Sequence, residues 1–210
     1  MLVYDLGMNV GENTAYYLDK GFSVLAVEAN PALCEQASRR FKFDDVTILN
    51  LAICDDVGEV EFYVNETNNR WGSLHRQWAD KGGGPITKIR VPSTTLTNLL
   101  KQYGTPHYIK VDIEGADKSV LEQLAACSQK PEYLSVEDCR FGYGYLGLMR
   151  QCGYKRFQIV DQTKTPLVFG SDLTWLGYDA AIDLYSKKVR DRTGKRIAPP
   201  NVWFDIHCGA

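Results

Sequence analysis

The chain has 210 residues, of which 44% are hydrophobic and 24% are charged. This composition is ordinary for a globular protein and excludes disordered and fibrous architectures, and the length suits one α/β domain. The 24 basic and 26 acidic residues leave a formal charge of −2, so no electrostatic argument favours a nucleic acid or an anionic membrane as partner.

Short apolar runs alternate with stretches of helical periodicity over the first 140 residues. The runs are rich in Val, Ile, Leu and Tyr and are bounded by Gly, Pro or Asp, which is typical of strands buried on both faces. They predict strands at residues 2–6, 23–29, 46–52, 108–113 and 133–137. Helices are predicted at residues 13–20, 32–41, 94–103 and 117–126. This alternation favours an α/β fold, a Rossmann-like, mostly parallel sheet covered by helices on both faces.

Residues 65–85 interrupt the alternation. Short accessory strands are predicted on either side, at residues 59–64 and 86–91, and the segment between them is rich in Asn and Gly. Loops of this length inside a compact domain are usually functional or disordered. We expect an insertion at residues 65–85 that acts as a mobile lid.

Residues 161–210 carry weaker signals. A helix is predicted near residues 179–190, and the basic run at 187–192 indicates a solvated helix end rather than a binding patch. Hydrophobicity alternates over residues 201–208, which favours an antiparallel strand that closes the sheet. With no linker or repeat in the sequence, residues 1–210 are expected to form one domain.

The cellular compartment of the protein is predicted from the targeting signals and from the cysteines. No apolar run approaches the roughly 18–20 residues of a membrane span, and the N-terminal sequence lacks a signal peptide's basic region and apolar core. The six cysteines include no C-x-x-C pair, which disfavours a disulfide scaffold or a zinc site. We expect a cytoplasmic protein with reduced thiols and no membrane span.

The first strand–helix junction, residues 5–11, reads D-L-G-M-N-V-G. Its two glycines permit a tight turn, and Asn9 is of the residue type that, after glycine, best tolerates left-handed backbone. A loop that binds a nicotinamide dinucleotide needs glycine at the position of Asn9. In such a loop the carboxylate of Glu12 would face the bound diphosphate. The loop therefore suits a nucleoside that carries an amino acid, with Asp5 as an acceptor for an ammonium group or for loop amides.

An acidic residue, Glu28, stands at the end of the second predicted strand. In nucleotide-binding α/β folds such a residue accepts hydrogen bonds from both ribose hydroxyls. Alone, it is equally a surface carboxylate beside the helix start at Asn30 and Pro31. Combined with the glycine loop, it favours a ligand site.

The sequence K-x-D-x-E-G at residues 110–115 ends the fourth predicted strand. Alternation places Lys110, Asp112 and, if the strand continues, Glu114 on one face. Such charges are out of place in a central parallel strand, unless Lys110 and Asp112 form an ion pair that holds the strand end. We favour a ligand site built on this pair, because α/β sheets bind ligands at this edge.

These motifs resemble those of the class I S-adenosylmethionine-dependent methyltransferases, and within them the FkbM-type enzymes. The resemblance rests on residues 5–11, 27–31, 50–53 and 109–115 and covers about residues 2–138. It implies a seven-stranded sheet with one antiparallel strand, bound S-adenosylmethionine, and methyl transfer, usually to a hydroxyl oxygen.

By position, the resemblance assigns the methionine moiety to the glycine loop, the ribose to the end of strand two and the adenine to the segment after strand three. The cofactor-binding residues it implies are Asp5, Gly7, Asn9, Gly11, Asn13, Thr14, Glu28, Asn50 and Ala52.

Methyl transfer to an aliphatic hydroxyl needs a base, because such a hydroxyl does not ionise alone at neutral pH. We expect Asp112 or Glu114 to accept the proton, with Glu137 behind them. Asp112, Glu137 and Asp138 also form a carboxylate cluster that suits Mg²⁺. The alternative, which we prefer, is that Glu137 and Asp138 cap the next segment or orient the substrate.

The predicted lid contains Trp71 and Trp78 close to amide and guanidinium side chains. Aromatic faces with polar neighbours suit a small-molecule or carbohydrate acceptor. Two other functions stay open. A nicotinamide-dependent oxidoreductase is disfavoured by Asn9 and Glu12, and a nucleoside-binding module without turnover is disfavoured by Lys110 and Asp112 on a core strand.

Overall fold

The predicted alternation of strands and helices is present in the computed structural model, which describes residues 1–165 and 167–210 and only the backbone of residue 171. The strands are β1 (Leu2–Leu6), β2 (Ser23–Glu28), β3 (Val46–Asn50), β4 (Ala52–Ile53), β5 (Gly58–Asn65), β6 (Ile86–Thr94), β7 (Tyr108–Val111), β8 (Tyr133–Glu137), β9 (Arg156–Asp161) and β10 (Phe204–Gly209). The helices are α1 (Glu12–Asp19), α2 (Pro31–Arg40), α3 (Arg76–Ala79), α4 (Leu96–Tyr103), α5 (Asp117–Ala126), α6 (Tyr143–Gln151) and α7 (Tyr178–Lys188).

Seven of the strands form one sheet in the order β3-β2-β1-β7-β8-β10-β9. Strand β10 runs antiparallel to both of its neighbours, and the other pairs are parallel. This confirms the α/β class and the single antiparallel strand. The predicted strand at residues 201–208 is antiparallel, but it lies second from the edge. Every residue of β10 is buried, and β9 forms the edge of the sheet in its place.

Two predicted strands end earlier than expected. Strand β7 stops at Val111, and Glu114 adopts a left-handed conformation with φ 50°. Glu114 therefore belongs to a turn, and the alternation of side chains along a strand does not predict the direction of its side chain. The predicted strand at residues 46–52 is interrupted at Leu51, after which β4 joins a second sheet, of order β4-β6-β5.

Neither α6 nor β9 was predicted from the sequence pattern. Helix α6 contains Gly144 and Gly147, which are poor helix formers. Tertiary packing compensates for this low propensity, since Leu146 and Met149 on the same helix are completely buried in the main hydrophobic cluster. Sequence periodicity was too weak here to reveal the helix.

The 65–85 insertion connects β5 to β6 and contains α3 and a 3-10 turn at Asn69–Trp71. The buried side chain of Asn65 organises its base. Its amide nitrogen donates to the Ala79 carbonyl at 2.7 Å, and its oxygen accepts from the backbone N–H of Thr67 and Asn68. The insertion is thus a folded segment with its own hydrogen bonds.

The C-terminal segment packs into the same hydrophobic cluster as the first strand. Tyr185 of α7 and Phe204 of β10 belong to this cluster together with Tyr4. The predicted segment 161–210 includes residue 166, which lies outside the described residues. Within the described ranges, no helix is long and apolar enough to cross a membrane.

Candidate functional site

A cavity of about 350 Å³ opens at the carboxyl edge of the large sheet, where β1, β2, β7 and β8 end. Gly7, Glu28, Asp112 and Glu137, which end or follow these strands, all line it. Part of the 65–85 insertion forms another wall. The cavity therefore occupies the edge at which parallel α/β sheets bind ligands.

The glycine loop fits tightly between two strands. The backbone N–H of Gly7 donates to the Val27 carbonyl at 2.9 Å, and a Cβ on Gly7 would lie 1.8 Å from the Asp112 carbonyl oxygen. Gly7 also has φ 88°, a conformation that side chains disfavour. Asn9, with φ 52°, adopts the left-handed conformation that its residue type predicted.

The Glu28 carboxylate fastens this loop to the end of β2. Its Oε2 accepts from the Asn9 backbone N–H at 2.9 Å, and its Oε1 accepts from that of Asn30 at 2.8 Å. Burial, which leaves Glu28 8% exposed, raises the pKa of the carboxyl. A carboxylate oxygen accepts more than one hydrogen bond, so both oxygens retain capacity for hydroxyls in the cavity.

The structure divides the expected cofactor residues into two groups. Those that line the cavity are Gly7, Asn9, Asn13, Glu28 and Ala52. Those outside its lining are Asp5, Gly11, Thr14 and Asn50.

The residues of the second group hold the first in place. Asp5 is completely buried, and its Oδ2 accepts from the Thr14 hydroxyl at 2.6 Å. Gly11 caps the start of α1 with φ 81°. The Asn50 amide donates to the carbonyl oxygens of Glu28 and Ala29, each at 3.0 Å.

The ion pair expected from the sequence is present on β7. Lys110 Nζ lies 2.9 Å from Asp112 Oδ2. Burial alone would raise the pKa of Asp112, but the Lys110 ammonium outweighs it and holds that pKa below its usual value. Burial would likewise lower the pKa of Lys110, and the carboxylates of Asp112, Asp5 and Asp205 raise it instead. Both groups therefore stay charged, and Asp112 is a weak base.

Glu137 faces this pair from β8. Burial raises the pKa of Glu137 well above its usual value, and the negative charges of Asp112 and Glu114 raise it further. Hydrogen bonding with the Asp112 carboxylate acts on the pKa of Glu137 in the same direction. Glu137 therefore holds its proton more tightly than an ordinary glutamate does.

Glu114 contacts the insertion twice, and its neighbour Gly115 contacts it once. Its carboxylate forms an ion pair with Lys81, and its backbone carbonyl accepts from the Ser73 hydroxyl at 2.7 Å. The Trp78 ring covers the next residue, where a Cβ on Gly115 would lie 1.4 Å from it. Burial raises the pKa of Glu114 to about 7, although the Lys81 ammonium opposes this shift. Glu114 lines the cavity with a carboxyl that titrates near neutral pH.

Further contacts bring the insertion over the glycine loop. The Asn9 amide donates to the Asn69 carbonyl at 3.1 Å, and Arg70 lies 3.1 Å from the Glu12 carboxylate. Trp71 lines the cavity. Trp78 lies outside that lining and is packed on Gly115, so it differs from Trp71 and from the expectation that both face the acceptor.

The predicted carboxylate cluster of Asp112, Glu137 and Asp138 does not form. Asp138 is fully buried and lies outside the cavity lining, where it accepts hydrogen bonds from Arg190, Arg196 and Tyr185. Lys187 and Lys188, which end α7, are exposed as the basic run predicted, whereas Arg190 beyond the helix is largely covered and paired with Asp138. Across residues 1–165 and 167–210, no group of three or more His, Cys, Asp or Glu residues is arranged to hold a metal ion.

Three contributors to the site carry no recognisable sequence signal. Lys81 lies in the insertion, and Gln162 and Trp203 reach the cavity from the C-terminal segment. Sequence spacing does not reveal which distant segments meet, and Trp203 lies within an alternating stretch that predicted only a strand.

A family model described as the methyltransferase FkbM domain matches residues 5–156. No curated protein sequence matches the chain.

Solved structures resemble the fold at low sequence identity. The precorrin 8w decarboxylase of Methanobacterium thermoautotrophicum is 12% identical with a TM-score of 0.50, over 100% of this chain and 81% of that one. The METTL16 MTase domain is 8% identical with a TM-score of 0.50, over 99% and 59%. The precorrin-6y C5,15-methyltransferase of Geobacter metallireducens is 10% identical with a TM-score of 0.49, over 100% and 80%. At such identities the likeness concerns the fold alone.

Proposed function

The chain belongs to the methyltransferase FkbM domain family, and on that basis we propose that it transfers a methyl group from S-adenosylmethionine to a hydroxyl oxygen of a small-molecule or sugar acceptor. The observation that carries this proposal is the joint position of Glu28 and Glu114. Glu28 faces the cavity beside the glycine loop, and Glu114 faces the same cavity with a pKa of about 7.

The charges of the cavity support S-adenosylmethionine over a dinucleotide. Glu12 and Glu28 line the part of the cavity next to the glycine loop, and they would repel a diphosphate. Arg70, the nearby cation, is already paired with Glu12. S-adenosylmethionine carries an ammonium and a sulfonium group and no phosphate, and it supplies an electrophilic methyl group when bound.

The cavity lining suggests how the chain would hold this molecule. Glu28 has two carboxylate oxygens for the ribose hydroxyls. Ala52 is a buried, small residue that leaves room for the adenine, and Gly7 and Asn13 lie beside the helix start. We assign these residues to direct binding, and Asp5, Gly11, Thr14 and Asn50 to support of the loop and strand end.

Glu114 is the carboxylate that we assign as the base. A general base works best when its pKa is close to the ambient pH, and the pKa of Glu114 is raised to about 7. The Lys110 ammonium lowers the pKa of Asp112, which makes Asp112 a weaker base, and burial raises the pKa of Glu137, which favours its protonated form. We therefore place Asp112 and Glu137 next to the reacting hydroxyl as groups that orient it, and Glu114 as the group that accepts its proton.

We also infer that the chain forms one domain whose large sheet carries helices on both faces. Alternate side chains of a strand point to opposite faces. Tyr4 of β1 belongs to a cluster with residues of α4 to α7, whereas Val3 belongs to one with residues of α1 and α2. The six cysteines are free thiols, which supports the proposed cytoplasmic location.

The binding test uses titration calorimetry with S-adenosylhomocysteine. Replacing Glu28 by Ala removes a charged acceptor, so affinity is expected to fall by about 2–3 kcal/mol. Glu28→Gln keeps the side-chain shape and separates loss of charge from loss of the loop contacts. Glu35→Ala, an exposed carboxylate on α2, is the matched control and should bind as the unmodified protein does. Equal affinity in all four proteins would contradict the ribose assignment.

The turnover test uses S-adenosylmethionine with an isotope-labelled methyl group and a pool of small hydroxylated metabolites. Label is expected in ether-linked methyl groups of the product. Binding of adenosylhomocysteine without label transfer to any acceptor would favour a nucleoside-binding module, and binding of NAD in its place would favour an oxidoreductase.

A further inference from the structure

Two residues of the C-terminal segment form one wall of the cavity. Gln162 follows β9 and Trp203 precedes β10, and both line the cavity. The backbone N–H of Gln162 donates to the Trp203 carbonyl at 2.9 Å. The two side chains therefore arise from adjacent points of the backbone, next to the carboxyl end of β8.

A buried carboxyl group fixes the Gln162 side chain. The amide nitrogen of Gln162 donates to Asp205, which is itself buried and lies directly opposite Glu137 in the β10–β8 register. This contact leaves the amide oxygen of Gln162 without a donor among the residues that the structure describes. It is a preoriented acceptor for a hydroxyl in the cavity.

Trp203 is 50% exposed, although its chain neighbour Phe204 is buried. Trp203 also lines the cavity, so its exposed ring offers a flat apolar face to a molecule bound there. Trp71, from the insertion, lines the same cavity. An apolar ring wall beside fixed polar groups matches a pyranose, whose C–H faces stack on aromatic rings while its hydroxyls accept and donate hydrogen bonds.

The charged side chains of the cavity indicate which class of sugar it would bind. Asp112, Glu114 and Glu137 face this part of the cavity, with Lys110 as an opposing ammonium group already paired to Asp112. An acidic sugar would bring a further carboxylate to these carboxyl groups, which is unfavourable. The cavity wall formed by Gln162 and Trp203 is therefore suited to an uncharged sugar ring.

We propose that Trp203 and Gln162 form the acceptor subsite, that the acceptor is a neutral sugar ring stacked on Trp203, and that Asp205 is a positioning residue for Gln162. This inference deepens the proposed function and rests on it. The C-terminal segment thereby determines acceptor specificity, while the N-terminal motifs serve the methyl donor.

The test measures binding of three methyl glycosides by saturation-transfer NMR in the presence of S-adenosylhomocysteine. The probes are methyl glucopyranoside, methyl rhamnopyranoside and, as the acidic sugar, methyl glucuronide. At least one neutral glycoside is expected to bind, and the glucuronide more weakly. Trp203→Ala should raise the dissociation constant of the neutral probe about tenfold, and Trp203→Phe should restore most of the loss. Phe43→Ala is the matched control, since Phe43 is 92% exposed and lies outside the cavity lining.

The role of Asp205 is tested by rescue. Asp205→Ala should weaken glycoside binding as Gln162→Ala does, whereas Asp205→Asn retains an oxygen for the Gln162 amide and should bind within about threefold of the unmodified protein. Equal losses in Asp205→Ala and Asp205→Asn would overturn the positioning role, because a purely structural effect would not follow the retained oxygen.

A measurement on the unmodified protein does not depend on the folding of any variant. In a spectrum of isotope-labelled indole N–H groups, the neutral glycoside should shift the Trp203 signal and leave Trp175, outside the cavity lining, in place. Absence of glycoside binding, or equal binding to Trp203→Ala, would overturn the inference while adenosylhomocysteine binding upheld the donor assignment. Failure to bind adenosylhomocysteine, with glycoside binding intact, would overturn the donor assignment and leave the sugar subsite standing.

Discussion

Around Glu28 the cavity is held together by backbone groups, since the carboxylate accepts from two N–H groups and Gly7 donates to the β2 carbonyl of Val27. Around Glu114 it is held by side chains from a distant segment, namely Lys81 and Ser73 of the insertion. In the proposed function the first region binds the methyl donor and the second, with Gln162 and Trp203, binds the acceptor, so we call them the donor half and the acceptor half.

The difference has a physical consequence. Hydrogen bonds between neighbouring backbone segments fix a geometry that depends on few side-chain identities beyond glycine and one acid. Ion pairs and packed rings across long sequence separations depend on several side chains at once, and on which of them are charged. The donor half should therefore respond mainly to steric changes, and the acceptor half to changes of charge and pH.

The largest effect is expected from Glu114→Gln in the acceptor half. Removing the proposed base should lower turnover by about 10²–10⁴-fold and leave adenosylhomocysteine affinity unchanged. In the unmodified protein the rate should rise with pH through about 7, because the ionised carboxylate is the active form. Initial rates across this pH range provide the measurement, and a full rate in Glu114→Gln would exclude Glu114 as the base.

The Lys81→Met variant tests whether Glu114 is the group whose titration sets the pH dependence of the rate. The Lys81 ammonium lowers the pKa of Glu114, so its removal should move the midpoint of the pH–rate profile upward while the rate at high pH is retained. A midpoint that stays at its original pH would show that a different group titrates.

Asp138→Ala tests how strongly the C-terminal segment is attached. The change leaves Arg190 and Arg196 without their buried partner, so the free energy of unfolding should fall by about 3–5 kcal/mol. Asp183→Ala removes the exposed partner of Lys187 and should cost less than about 1 kcal/mol. Urea denaturation distinguishes the two, and similar losses in both variants would contradict a buried structural role for Asp138.

In the donor half, Gly7→Ala is expected to destabilise the fold by at least about 3 kcal/mol, because left-handed strain adds to a clash with the Asp112 carbonyl. Gly21→Ala has the matching positive φ but open space around its Cβ, so only the strain of about 1–2 kcal/mol applies. Thermal and urea denaturation measure the stability of the two variants. Equal stability would contradict the predicted clash between a Cβ at Gly7 and the Asp112 carbonyl.

The smallest effect is expected where the two halves meet at the surface. Arg70 and Glu12 are both exposed, so Arg70→Ala should change stability by less than about 1 kcal/mol. Deuterium exchange in the 65–85 insertion should be faster than in β1 and should slow when donor and acceptor are both bound. Exchange as slow as that of β1 in the free protein would exclude a lid.

The sequence by itself determined the α/β class, the glycine loop, the acid that ends β2 and the Lys110–Asp112 ion pair. Each of these depends on short-range relations: strand periodicity, left-handed backbone at Asn9, or residues two apart on one strand. Such relations act within a few residues, and for that reason they are visible in a single sequence.

Tertiary structure alone decided how the acceptor half is assembled around Glu114. That Lys81 pairs with Glu114, that Asp138 binds Arg190 and Arg196, and that Gln162 and Trp203 share a cavity with Gly7 all depend on how distant segments pack. It also decided the charge states, since burial raises the pKa of Glu114 while the Lys110 ammonium lowers that of Asp112. A pKa depends on the groups and the solvent around a carboxyl in space, and the linear sequence does not contain that arrangement.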